Sequence, residues 1–594
     1  MREYSTTLTV DVAAGNLTDD VIVNGEQHAD SVVFSRRSGS AWSDVTAATF
    51  LAYVRAVAKG LVAAGVQPGD RVAVMSRTRY EWTVVDYAIW FAGAATVPIY
   101  ETSSAEQVEW ILADSGARAA IVETHEHAGR VNGCRERLTQ LHHVWSIDAG
   151  AIDLLDRLGA DVTDADLEAR RTTAGPGSLA TLIYTSGTTG RPKGCMLTHG
   201  NFTFEISVIS DELGELLGEG ASTLLFLPLA HIFARLIQVV CVRNRIRMGH
   251  SADILNLLGD FGAFGPTFIL AVPRVFEKVF NTSSQRAAAD GKGRVFARAA
   301  DVAIAFSRGQ ETGRTPIAVR LQHKLFDRLV YAKLRSALGG NCEYAVSGGA
   351  PLGERLGHFY RGIGVNVLEG YGLTETTAAL TVNLPEAQKV GTVGRPVQGT
   401  SVRVAEDGEL LFRGGQVCAG YWRNAAATTA ALQADGWFHT GDVGEVDDEG
   451  FVRITGRKKE ILVTAGGKNV APAVLEDRLR ASALVDQCIV VGDGQPFIAA
   501  LVTIDPEVFT GWAKQHDKSG SIADLVDDVH LRAELEAAVD EANKAVSKAE
   551  SIRKFAILGD QWTEEGGQLT PSLKLKRNVV MRECREDVEA LYAR

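Results

Sequence analysis

Eleven consecutive residues, Tyr184-Thr185-Ser186-Gly187-Thr188-Thr189-Gly190-Arg191-Pro192-Lys193-Gly194, form the chain's densest set of phosphate-binding groups. Gly187 and Gly190 let the backbone turn with its amides pointing inward, and the hydroxyls and Lys193 add donors suited to a polyphosphate. The run is not a Walker A loop, because Gly194 stands where G-x-x-x-x-G-K-[ST] needs a hydroxyl. A polar loop that merely ends a strand is the plainer reading. So many Gly, Thr and Ser around an embedded Lys argue against it.

Such a loop needs a strand before it, and the apolar run 179–184 supplies one. Further candidate strands at 71–75, 119–122, 223–227, 268–272 and 365–368, with a helical pattern at 50–65, give the alternation of an α/β sheet with crossover helices. Several end in Gly-rich or polar turns, where a parallel sheet presents its ligand sites. Beyond about residue 399 the texture changes. Runs 402–404 and 410–412 flank Glu406-Asp407-Gly408, and Val446 and 451–454 flank a second acidic turn, which predicts hairpins of a small β-rich subdomain. The charged run Gly456-Arg457-Lys458-Lys459-Glu460 leads into a last segment with a hairpin at Gly492-Asp493-Gly494 and a long helix predicted over 527–551. The expected domains are therefore 1–458, with its β-rich part at about 400–458, and 459–594. Region 280–333 reads as helical and basic, interrupted by Gly291 and Gly309. A solvated insertion packed on the sheet is preferred there to a direct ligand role.

At 594 residues the chain has room for about four average domains, or two or three large α/β ones. With 46% hydrophobic and 23% charged residues, it is globular rather than disordered. Sixty-one Lys and Arg against 73 Asp and Glu leave a net charge of −12, which argues against nucleic acid as the main partner. Seven scattered cysteines with no C-x-x-C pair suggest neither a zinc site nor a disulfide framework and fit a reducing compartment. The first residues lack the apolar run of a signal peptide, and the longest apolar stretch, 87–100, is too short to span a bilayer. The expected location is cytoplasmic, with peripheral membrane contact and oligomeric state left open.

The 184–194 loop resembles the phosphate-binding loop of the adenylate-forming enzymes, the superfamily of acyl-CoA synthetases, peptide-synthetase adenylation domains and luciferases. Other motifs follow in the family's order: Leu227-Pro228-Leu229-Ala230-His231, Ser347-Gly348-Gly349-Ala350-Pro351-Leu352, Glu369-Gly370-Tyr371-Gly372-Leu373-Thr374-Glu375, Asp435-Gly436-Trp437-Phe438-His439-Thr440-Gly441-Asp442, Thr455-Gly456-Arg457-Lys458-Lys459-Glu460 and Pro571-Ser572-Leu573-Lys574-Leu575-Lys576-Arg577. They run from 184 to 577. The resemblance implies a large N-terminal α/β domain of stacked sheets with a small β-rich subdomain, then a small mobile α+β C-terminal domain. It implies an ATP/AMP site of Thr185, Ser186, Gly187, Thr188, Thr189, Gly190, Lys193, Gly349, Ala350, Glu369, Gly370, Tyr371, Gly372, Thr374, Asp442, Arg457 and Lys574. Mg²⁺ would be held by Thr185 and Glu375, catalysis carried by Lys574, Glu375, Thr185 and Lys193, and Lys459 would be the hinge. An acyl and CoA site would include His231, Gly348 and Gly467.

Each residue type suits its implied role. A Glu375 carboxylate oxygen fits a hard cation shared with phosphates, though a Glu after a Thr is usually on the surface. Tyr371 offers a flat face to adenine, but without its glycines a half-buried core aromatic would be the better reading. Asp442 can accept both ribose hydroxyls, where an isolated Asp is more often a turn residue. Arg457 and Lys574 supply cations for phosphate, although the basic cluster of Lys574, Lys576 and Arg577 would ordinarily be a solvated face. A carboxylate substrate is ionised at neutral pH, so attack on the α-phosphate needs no general base. Alignment and charge neutralisation remain. In the family the C-terminal domain rotates between two half-reactions, so Lys574 would leave and Gly466-Gly467-Lys468-Asn469 would arrive, Gly467 letting the pantetheine arm approach.

Amino-acid-activating relatives carry an Asp near the position of His231, and this chain has none. Residues 272–279 and 569–577 resemble the long-chain fatty acyl-CoA synthetase branch, with one departure at Ala234, where an acidic residue often precedes Arg235. His231 is the candidate gate or carboxylate neighbour, with a hydrogen-bonded structural His the equal alternative. The expected activity is ATP-dependent ligation of a long-chain fatty acid to CoA, giving AMP and pyrophosphate. A fatty acyl-AMP ligase serving a carrier protein is the alternative. A non-catalytic acyl or nucleotide sensor is disfavoured because Lys193, Glu375, Asp442, Arg457 and Lys574 are all present.

Overall fold

Short apolar strands alternating with helices build three sheets in the first 400 residues. The computed structural model of the chain describes residues 3–39, 41–185, 191–252, 256–570 and 574–593. The six-stranded sheet runs His143–Ser146, Ala119–Val122, Arg71–Met75, Ala95–Ile99, Leu179–Thr185, Lys193–Thr198. Its first five strands are parallel and the last is antiparallel, so the sheet is mixed rather than purely parallel. Helices cover it, and strands such as Ala95–Ile99 are buried throughout, hence their unbroken apolar sequence. A second sheet joins Ser222–Leu225, Arg247–His250, Val32–Ser38 and Ala41–Thr46. The third joins Phe268–Ala271, Tyr344–Ser347, Asn366–Tyr371, Thr381–Val382 and Arg395–Pro396. Thr185, Ser347 and Tyr371 each close a strand of the first or third sheet, so the motif loops emerge at carboxyl ends.

The β-rich part is a five-stranded antiparallel sheet, Glu3–Ser5, Ser401–Val404, Glu409–Arg413, Phe438–Val446, Val452–Arg457. Both predicted hairpins are present, and the N-terminal strand completes an edge. From residue 462 on, the side chains pack into cores of their own. Leu475, Val502 and Leu535 lie on one face of the sheet Val485–Val491, Ile498–Ile504, Ile552–Leu558, with Leu501, Val580 and Leu591 on the other. The molecule is thus an α/β protein with a large N-terminal and a small C-terminal domain.

Two helical expectations are corrected. The helix predicted over 527–551 spans Val529–Asn543, because the Asn543 side chain turns back to clasp the backbone N–H and C=O of Ile552. Gly309 does not interrupt its helix, which runs Gly293–Glu311. A Cβ at Gly309 would lie 2.5 Å from Thr315 Oγ1, so the glycine serves close packing. No helix among the described residues is long and apolar enough to cross a membrane.

Candidate active site

Thr185 and Lys193 face each other across the antiparallel pair that brackets the Gly-rich loop. Ser186, Gly187, Thr188, Thr189 and Gly190 lie outside the described residues. Thr185 Oγ1 donates to Glu375 Oε1 at 3.3 Å, and the Tyr421 hydroxyl donates to the same oxygen at 2.9 Å. The Lys193 ammonium sits 5.4 Å from the Tyr421 ring centroid. Segment 419–422 reaches this place by hydrogen-bonding alongside 194–196, with Trp422 N donating to Gly194 O at 2.7 Å.

A second group forms where the β-rich sheet meets the third sheet. The Tyr371 hydroxyl donates to Asp442 Oδ2 at 2.6 Å, and Arg457 Nε lies 3.2 Å from Asp442 Oδ1. Burial pushes the Asp442 carboxyl up, while Arg457, Tyr371 and Lys574 pull it down. Lys574 comes from the C-terminal domain. Its Nζ lies 3.7 Å from where a Cβ on Gly349 would be, an ordinary contact distance, and it is the φ of 83° at Gly349 that favours glycine there. Burial first, then Arg457, lower the Lys574 ammonium to about 8, against the pull of Asp442.

The backbone between these groups is tightly specified. Glu369 Oε1 accepts from Leu352 N at 2.9 Å, fixing the turn that carries Gly348, Gly349 and Ala350, and burial raises this carboxyl to about 7. A Cβ at Gly348 would touch the Phe233 ring, at Gly370 would lie 3.1 Å from Thr381 O, and at Gly372 would collide with Ala378 O. Thr374 opens the single turn Thr374–Thr376, after which Thr377 and Ala378 hold φ of 53° and 93°. Non-glycine residues reach that region only when their surroundings impose it. Here the Thr377 hydroxyl bonds Gln416 O at 2.7 Å, and Glu205 Oε1 accepts from Ala379 N at 3.1 Å.

His231 caps helix Ile232–Arg243, its Nδ1 accepting from Phe233 N at 3.2 Å. Burial and the neighbouring Lys574 push it down to about 3, which leaves a neutral imidazole. Arg235 is fully buried, paired with Asp86 through both carboxylate oxygens and flanked by Trp82 and Trp90. The partner of Arg235 is thus Asp86 of helix Tyr80–Phe91. Among the described residues, Gly467 shows no contact with these groups. Gly467 sits at an open turn with φ of 75°, beside Lys468, which pairs with Glu550 at 3.2 Å. Lys459 lies in the turn Lys458–Glu460. Tyr421 and Asp86 were missed from sequence: no motif spacing marks either, and only an aromatic after Ala419-Gly420 could have hinted at the first.

Residues 22–422 match the AMP-binding enzyme family, and residues 459–594 match the AMP-binding enzyme C-terminal domain. The chain belongs to the AMP-binding enzyme family. It is 52% identical over 598 residues to the long-chain-fatty-acid–CoA ligase FadD15 of Mycobacterium bovis, covering all of both chains. It is 29% identical to the long-chain-fatty-acid–CoA ligase ACSBG2 of Gallus gallus, over 96% of this chain and 80% of that one. The fold matches the solved structure of the anthranilate CoA ligase AuaEII in complex with anthranoyl-AMP, with a TM-score of 0.74 and 19% identity over 97% of this chain and 98% of that one. The resemblance read from the motifs holds over the whole chain. Family membership brings an acyl-adenylating fold; the roles of single residues rest on the geometry above.

Proposed function

We propose that this chain is an ATP-dependent long-chain fatty acid–CoA ligase working in two steps through an acyl-adenylate. The observation that carries the reading is the convergence of Thr185, Lys193 and Glu375 on one side and Asp442, Arg457 and Lys574 on the other, around the turns at Gly349 and Gly372. The full-length likeness to a fatty-acid ligase supports the substrate class.

In the first step a carboxylate oxygen of the fatty acid attacks the α-phosphorus of ATP as the bond to pyrophosphate breaks. Lys193 and Lys574 neutralise charge on the phosphates, Asp442 takes the ribose hydroxyls, and Tyr371 flanks the adenine. The neutral His231 adds no charge and acts as a polar wall of the acyl pocket. The donors present fit Mg²⁺: Glu375 and Thr185 place two oxygens together, and among the described residues no cluster of three or more His, Cys, Asp or Glu could hold a metal unaided. A cation there would be shared with substrate phosphates, and bound Mg²⁺ would screen the negative charge of the leaving pyrophosphate. In the second step a CoA sulfur attacks the acyl carbonyl and AMP leaves. We assign the boundary to 458/459, with Lys459 as hinge, so that rotation of 459–594 withdraws Lys574 and brings in Gly467.

The test is product analysis with ATP, Mg²⁺ and palmitate, with and without CoA. Palmitoyl-CoA and stoichiometric AMP only when CoA is present are expected. Accumulation of palmitoyl-adenylate that CoA cannot discharge would make the chain an acyl-AMP ligase instead.

A further inference from the structure

Helix Ile317–Phe326 and the wider turn Asp327–Tyr331 that continues it present an apolar ridge to solvent. Ile317, Leu321, Leu325 and Leu329 are 76, 66, 57 and 53% exposed, although large aliphatics are ordinarily buried. Their spacing of four residues puts them in one row along the helix. Arg320, Lys324 and Arg328 form a parallel row one residue behind, and none joins an ion pair among the described residues. The nearby acid, Asp327, is taken by Arg335 at 2.8 Å. The inner side is anchored: Phe326 and Tyr331 are buried, the Tyr331 hydroxyl donates to Ala299 O at 2.7 Å, and His323 stacks on Phe306 and bonds Gly362 O. The helix therefore has no spare face into which its leucines could turn.

Charge says what covers the ridge. Residues 286–335 hold eleven Lys and Arg against four Asp and Glu, in a chain whose net charge is −12. A second copy meeting this face symmetrically would set the basic row against itself. An aliphatic ridge beside a cationic row on a convex helix matches the boundary of an anionic bilayer, with leucines among the acyl chains and longer basic side chains reaching the headgroups. We propose that this face docks the enzyme on the surface of an anionic lipid membrane. The helix packs on Gly293–Glu311, which packs on Pro273–Ala289, and that helix leaves the strand Phe268–Ala271 at Val272, within 3.8 Å of a Cβ position on Gly349. A docked enzyme would thus hold its catalytic turn a few helices from the bilayer.

The full chain is floated with phosphatidylcholine vesicles, with and without phosphatidylglycerol, at low and high salt. Binding that needs phosphatidylglycerol and weakens in salt is expected. The triple variant Arg320→Glu, Lys324→Glu, Arg328→Glu should bind at least on the order of a hundredfold more weakly, at about 1 kcal/mol per basic residue near the surface. Leu321→Ser with Leu325→Ser should also detach the chain. All variants should keep wild-type activity on soluble octanoate, which shows that they fold. No binding to anionic vesicles, unchanged binding by either set of variants, or self-association that the variants abolish in the absence of lipid would overturn the proposal.

Discussion

Lys574 is the residue on which the two-step reading turns, because it is the cation that the C-terminal domain places over Gly349 beside Arg457. Lys574→Ala should lower the rate of acyl-adenylate formation by roughly 10²–10³, as loss of one preorganised charge at a transition state does. Thioester formation from supplied acyl-adenylate should change little, since the proposed rotation withdraws the lysine for that step. The two half-reactions measured apart decide it, and equal losses would remove Lys574 from its assigned role. The ammonium titrates near 8, so adenylation by wild-type enzyme should decline above that pH. Residues of this kind were legible because their motifs repeat a known order. Tyr421 was not: it reaches the Glu375 carboxylate only through a pairing between 419–422 and 194–196, some 220 positions apart in the sequence. Asp86 was hidden for the same reason, its need arising from an arginine on another helix.

At the level of elements, the segment 372–379 is held in a strained path by outside contacts, and Glu205 of helix His199–Glu212 supplies one of them. Glu205 is fully buried, burial raises its carboxyl and so favours the uncharged acid, and its Oε1 accepts from Ala379 N as an amide oxygen would. Glu205→Gln should therefore be nearly silent. Glu205→Ala should leave a buried N–H unpaired at a cost of about 1–3 kcal/mol, lower the first unfolding transition, and raise the KM for MgATP because Glu375 rides on this segment. Calorimetry with steady-state kinetics tests both; a Gln variant as damaged as the Ala variant would show the carboxylate charge to matter after all. Strands and hairpins could be read from pattern because burial on two faces, or acidic Gly turns, leave local marks. The end of the helix at Asn543 and the continuity through Gly309 are set by side chains met only after folding, and strand Glu3–Ser5 pairs with a partner about 400 residues away.

Across the whole molecule, the two domains meet at contacts of opposite character. Arg274 pairs with Asp486 at 2.5 Å, an attractive clasp between the domains. Elsewhere Glu101, just past strand Ala95–Ile99, faces Glu564 of the C-terminal domain, and Glu101 Oε2 and Glu564 Oε1 are buried without hydrogen-bond partners among the described residues. Burial, with repulsion from Glu564 and Glu123, raises the Glu101 carboxyl to about 7 against the pull of a backbone hydrogen bond and of Arg77. In this closed arrangement Glu101 keeps its proton to about pH 7, and withdrawal of Glu564 with the C-terminal domain would lower that value toward the ordinary 4.5. Closure is thus linked to proton uptake: it is most favoured at low pH, weakens as pH rises between those two values, and bears the full repulsion above about 7. With Lys574 in the proposed role, acting only when the domains are closed this way, adenylation should fall across that window and then level until the lysine itself titrates. Glu101→Gln should flatten the window and raise adenylation near pH 7.5, leaving the later decline in place, and Glu564→Gln should narrow the window only in part, because burial is the larger cause. Single-turnover adenylation measured from about pH 5.5 to 9 tests this. A Gln variant that keeps the wild-type profile below pH 7 would mean that this carboxylate pair does not govern how the domains close.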